Sequence, residues 1–133
     1  MIEKLYDIKQ INCLIHCAAY QCCKEIYNYT LEEWDKTYNV NVRALFLLTK
    51  NLIRIKKLNT ETNIIAISSV HSLVTSKNIG AYASSKAALI GLVKNMSIDL
   101  SKFNIRVNAI SPGAINTSML RNHLNEEELQ NLK

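Results

Sequence analysis

Apolar positions in this 133-residue chain follow two rhythms that alternate along it. Residues 11–19 (INCLIHCAA) and 63–68 (NIIAIS) are almost continuously apolar and short. Such runs read as strands buried on both faces, as in a parallel sheet covered by helices. A third segment, 104–110, alternates, with Ile105, Val107 and Ala109 on one face. Between these runs the spacing changes to three and four. One stripe, over residues 31–57, holds Leu31, Trp34, Tyr38, Leu45, Leu48, Leu52 and Ile55. The other, over residues 80–103, holds Leu89, Val93, Met96, Leu100 and Phe103. Both predict long amphipathic helices.

The punctuation agrees. Thr30-Leu31-Glu32-Glu33 has the form of a capping box. Residues 58–62 read as a polar turn and 69–79 as a loop. Pro112 ends the third strand, since proline cannot continue a central ladder. Short helices are expected over residues 2–8 and, capped by Asn125, over 126–132. Strands alternating with helices predict βαβ units and right-handed crossovers. The fold class is therefore α/β, a partial doubly wound parallel sheet of about three strands flanked by long helices.

Three polar residues break the stripes. Asn41 falls between Tyr38 and Leu45, and a buried amide needs partners; a satisfied core Asn is the simplest account. Extended backward, the second stripe reaches Lys86 and Tyr82. Flanking positions there are small (Ala81, Ala83, Ala87, Ala88, Gly91) and allow close helix packing. Tyr82 and Lys86 lie one turn apart and are neighbours. An ammonium beside a phenol favours the phenolate and draws its pKa below about 10. Such a Tyr suits general acid–base catalysis. Ser69, at the carboxyl end of a strand, would sit where open α/β sheets bind ligands, able to hydrogen-bond a carbonyl or hydroxyl. The competing reading of Lys86 runs its stem along apolar surface with its head in water. A second Tyr-x-x-x-Lys, at Tyr20 and Lys24, follows no such strand or Ser.

Composition narrows the classes. The net charge of +5 comes from dispersed basic residues, without the aromatic interleaving of a nucleic-acid surface. No apolar run approaches the roughly 20 residues that span a bilayer, and the N-terminus lacks a signal-peptide pattern, so a cytoplasmic location is expected. Cys13, Cys17, Cys22 and Cys23 include no Cys-x-x-Cys pair. Cys13 and Cys17 read as small buried hydrophobes, with His16 on the opposite strand face. No metal site is expected.

The Ser69, Tyr82, Lys86 spacing resembles the short-chain dehydrogenase/reductase family. Four more segments resemble it in order. INCLIHCAA is similar to the strand ending in Asn-Asn-Ala-Gly, with His16, Cys17, Ala18 and Ala19 in the motif positions. VNVRALF places Asn41 on the family's catalytic Asn. NIIAISS places Ser69 on its Ser. RVNAISPGAINT carries Pro112, Gly113, Ile115 and Thr117.

The resemblance implies a Rossmann-like fold and NAD- or NADP-dependent hydride transfer between a small alcohol and a carbonyl compound. It makes Tyr82 the general acid/base, with Lys86 lowering its pKa and holding the nicotinamide ribose. Ser69 would orient the substrate oxygen, and Asn41 would bind a water linking Lys86 to solvent. Ala18, Ala19, Pro112, Gly113, Ile115 and Thr117 would line the nicotinamide. It also implies a homo-oligomer through helices 31–57 and 80–103.

Two departures qualify this. Both motif Asn are replaced, by His16 and Cys17. The Gly-rich turn that binds pyrophosphate has no counterpart, since no Gly precedes Gly80. The chain therefore reads as one incomplete domain, the catalytic part of the family fold, impaired alone and needing a complementing N-terminal half. The alternative is a non-catalytic remnant or helix-mediated dimerisation module.

Overall fold

The computed structural model describes residues 7, 9–117 and 121. Apart from Asp7, the helices expected over 2–8 and 126–132 lie outside the described residues. Three strands, β1 (Ile11–His16), β2 (Leu58–Ile67) and β3 (Arg106–Ile110), form one sheet in the order β1-β2-β3. Both pairings are parallel: Leu14 meets Ile64 and His16 meets Ala66, while Ile64 meets Val107 and Ala66 meets Ala109. The crossovers carry α1 (Leu31–Tyr38), α2 (Ala44–Arg54) and α3 (Gly80–Asp99).

That register puts Leu14, His16, Ile64, Ala66, Val107 and Ala109 on one face, and this face builds the core. Leu45 of α2 and Leu89, Val93 and Met96 of α3 pack onto it, together with Leu100 and Ile105. Burying each such side chain stabilises the fold by about 1.5–3 kcal/mol. Among the described residues the other face is not covered to match. Ile15 and Ile110 are 59% and 52% exposed. Cys13 and Cys17 are exposed as well, not buried as expected, although His16 does face inward. Within the apolar run at 11–19, β1 thus forms an edge strand that, among the described residues, is covered on one side only.

The long helix expected over 31–57 is interrupted. Thr30 closes its capping box with Glu33 as predicted, accepting from the Glu33 amide at 3.2 Å. Between α1 and α2, Asn39–Arg43 form a π-helical turn, with the Ala44 amide donating to Asn39 O. The wider turn inserts a residue and rotates α1 by about 100° against α2. Thr37 therefore faces the core and Leu31 does not, while Asn41, Leu45 and Leu52 stay buried.

Residues 58–62 extend β2 instead of forming a turn, through an irregularity in which Ile11 opposes Leu58 but Cys13 opposes Asn63. Glu61 takes φ 72° there, and the buried Thr62 hydroxyl donates to Ile11 O at 2.8 Å. On α3, Tyr82, Lys86, Leu89, Val93 and Met96 are all buried, as the stripe predicts. Phe103 is not: the helix ends at Asp99, and Asn104, at φ 57°, turns the chain after a short 3-10 segment.

Candidate active site

β2 ends at Ile67, and the next two residues lock onto neighbours. The Ser68 amide donates to Ile110 O at 2.7 Å, and the Val70 amide to Pro112 O at 3.0 Å. Ser69 between them is buried and extended, and its Oγ accepts the His71 amide at 3.2 Å. The residues after β2 and β3 are therefore tied together at the carboxyl end of the sheet.

The start of α3 comes to the same place. It is held from the segment after β1: the Lys24 amide donates to Asn78 O at 2.7 Å, and the Tyr29 hydroxyl bridges Cys22 O and Asn78 O. Lys86 is 2% exposed. Its Nζ donates to Ile67 O at 2.7 Å and lies 5.6 Å from the centroid of the Tyr82 ring. Ser68 Oγ donates to the Lys86 carbonyl at 3.1 Å, so strand end and helix hold each other at two points.

Electrostatics differ from the expectation at one residue. Burial pushes the Tyr82 phenol above its ordinary value, and the Ser69 side chain beside it works the other way. Burial likewise lowers the Lys86 ammonium, with Cys17 opposing. The expected lowering of Tyr82 by Lys86 is not what sets its direction; desolvation is, with Ser69 opposing. With its ammonium turned to Ile67 O, Lys86 gives the phenol no direct hydrogen bond.

Asn41 occupies the π turn, fully buried. Its Nδ2 donates to Tyr20 O and to Ser85 Oγ, both at 2.9 Å, and its Oδ1 accepts the Tyr20 amide at 2.7 Å. The amide is satisfied by protein groups, and its backbone carbonyl meets His16 Nε2 at 3.2 Å. Ala18 and Ala19 follow His16 on the loop leaving β1, and Pro112, Gly113, Ile115 and Thr117 follow β3. The candidate residues therefore come from all three strand ends, from the π turn and from α3.

Two residues near Tyr82 went unread in the sequence. Ser85 donates to Tyr82 O at 2.7 Å, tying Asn41 to the turn of α3 that carries Tyr82. His71 stands edge-on to the Tyr82 ring, centroids 6.5 Å apart, with its buried Nδ1 unpartnered among the described residues. Ser85 could have been found as the remaining polar residue facing inward within the Tyr82–Lys86 turn. Nothing in the sequence marks His71. A recess of about 490 Å³ lies at the other end of the strands, by Leu58, Phe103 and Ile105, away from these groups.

Known proteins share this chain's pattern. A family model described as enoyl-(acyl carrier protein) reductase matches residues 2–132. A (+)-borneol dehydrogenase 2 of Salvia officinalis is 40% identical over 106 residues, covering 80% of this chain and 38% of that protein. A cyclopentanol dehydrogenase of Comamonas sp. is 34% identical over 115 residues, covering 86% and 46%. The chain belongs to the short-chain dehydrogenase/reductase family. Among solved members, a 4-hydroxyisoleucine dehydrogenase mutant complexed with NADH and succinate superposes with a TM-score of 0.81 at 31% identity, over 91% of this chain and 50% of that one. A short-chain dehydrogenase family protein of Francisella tularensis reaches 0.87 at 24% identity, over 98% and 52%, a likeness of fold. This short-chain dehydrogenase/reductase chain thus spans about two fifths to half of the length of these relatives.

Proposed function

We propose that the chain supplies the proton-transfer side of a nicotinamide-dependent alcohol/carbonyl oxidoreductase. The observation that carries this is the meeting of Ser69, Tyr82 and Lys86 at the carboxyl end of β2, with Lys86 Nζ fixed on Ile67 O. A bound nicotinamide would take up or deliver the hydride. The donor set present fits one: a buried ammonium at the crevice, small Ala18 and Ala19 that permit close approach, and the Pro112–Thr117 segment leaving β3. Lys86 would hold its ribose. Ser69 would orient the substrate oxygen. Tyr82 would give its phenolic proton to a carbonyl oxygen, or, as phenolate, take the proton of an alcohol. Removing such a general acid costs about 100- to 10,000-fold in rate.

No Gly precedes Gly80, so the pyrophosphate-cradling loop is not within residues 1–79. Fluorescence titration with NADH and NADPH should show weak or no binding to this chain by itself; tight binding to either would refute that expectation. Supplied with a nucleotide-binding N-terminal half, the assembly should oxidise a secondary alcohol, and Tyr82→Phe should lower the rate at least 100-fold. Unchanged turnover would remove Tyr82 from its role.

A second reading, self-association through the helices, has its own support. Phe46 and Leu47 of α2 are 46% and 40% exposed, Ile98 of α3 is 72% exposed, and Ala87, Ala88 and Gly91 form an exposed small-residue face. Sedimentation of the wild type against Ala88→Glu decides it: a dimer lost in the variant supports a helix-mediated homo-oligomer, and a monomeric wild type rejects it.

A further inference from the structure

His16 stands at the end of β1, buried, where its ring reaches the backbone of a different element. Its Nε2 lies 3.2 Å from Asn41 O. A carbonyl can only accept, so Nε2 must carry the proton. This carbonyl is special in its setting. It belongs to the π turn, where the i+5 pairing replaces the α-helical one and disturbs the ladder locally. The imidazole reaches that carbonyl from outside the helix and so ties the turn to the end of β1.

From the turn the hydrogen bonds continue. Asn41 Nδ2 donates to Ser85 Oγ at 2.9 Å, and Ser85 Oγ donates to Tyr82 O at 2.7 Å. Ser85 is fully buried and immediately precedes Lys86. One path therefore runs from the end of β1, through the π turn, to the turn of α3 that carries the phenol and the ammonium. We propose that His16 is a positioning residue for the Tyr82–Lys86 pair, acting through Asn41 and Ser85 as a neutral Nε2–H donor. Burial keeps its charged form disfavoured, and the Lys86 ammonium adds to that, against the Asn41 hydrogen bond. An acceptor-side imidazole would not serve, and neither would a ring without a donor.

The inference rests on the proposed role of Tyr82 only for its consequence; the hydrogen bond can be measured without turnover. In the wild-type chain labelled with ¹⁵N-histidine, NMR should show His16 as the Nε2-protonated tautomer; the Nδ1-protonated tautomer would overturn the proposal. With ¹³Cζ-tyrosine, and Tyr82 assigned through Tyr82→Phe, His16→Phe should shift the Tyr82 titration and lose the slowly exchanging Asn41 side-chain amide. His16→Asn, which retains a donor, should restore both. If His16→Phe matches the wild type, the ring acts by packing and the proposal fails. If the Phe variant does not fold, the wild-type tautomer still decides. Failure here leaves the proposed reaction standing, and failure of nucleotide binding leaves the hydrogen bond standing.

Discussion

Glu33 does two jobs with one carboxylate. It accepts from the Thr30 amide at 3.0 Å, completing the cap of α1, and from Lys24 Nζ at 2.6 Å, tying the segment after β1 to that helix. The Lys24 bond first, and the Thr30 amide next, lower its pKa from 4.5 to about 2. A depressed carboxylate adds stability that is present above the unfolded value and lost as pH falls through the folded one. Thermal unfolding should therefore lose that increment between about pH 4.5 and 2, and Glu33→Gln should flatten the pH dependence in that window. Tyr82 behaves in the opposite sense. Its raised pKa keeps the phenol protonated at neutral pH, as the acid role proposed for it requires. In a nucleotide-loaded assembly, carbonyl reduction should hold level across neutral pH, while alcohol oxidation, which needs phenolate, should keep rising beyond pH ~10. Ser69, Asn41, Tyr82 and Lys86 were legible as residues because their spacing against the apolar stripes is a local property. The direction of the Tyr82 shift was not, because desolvation depends on everything packed around the ring. His71 and Ser85 were missed for a similar reason: their importance lies in what the fold brings to them.

At the scale of elements, the periodicity of α3 and its inward face were readable over five turns. Leu89 is fully buried while Leu73, in the preceding loop, is 86% exposed. Denaturant unfolding should show Leu89→Ala destabilised by about 2–5 kcal/mol, and Leu73→Ala within about 0.5 kcal/mol of wild type. A comparable loss from both would deny that the α3 stripe is the core. The helix at 31–57 shows where periodicity stops informing. Every stripe position assumes 3.6 residues per turn, so one inserted residue leaves the pattern plausible but assigns the wrong face to everything before it. Leu31 and Thr37 exchange roles for that reason alone. The polar run at 58–62 misled differently. Thr62 and Glu61 look like turn residues, yet side-chain and backbone bonds to Ile11 and Asn104 draw them into the sheet.

At the scale of the whole molecule, the sequence encodes more cover than the described residues provide. Ile64-Ile65-Ala66-Ile67 has the composition of a strand with helices on both faces, and only the face of Ile64 and Ala66 has them. Strand direction followed from the alternation of elements, since a parallel pair requires a crossover. Which face stays open did not, because period-one apolar runs carry no facing information. β1 is left at the sheet edge with Ile15 outward, the arrangement that invites pairing with another chain. Light scattering at increasing concentration should show self-association reduced by Ile15→Lys; an unchanged profile would place the contact elsewhere. The same strand has a further property. Cys13 shares the outward face with Ile15, and Cys17 follows just beyond the strand, both exposed. Two such edges that met by accident would bring thiols from both chains together, and an oxidant could then turn a passing encounter into a covalent one that dilution no longer reverses.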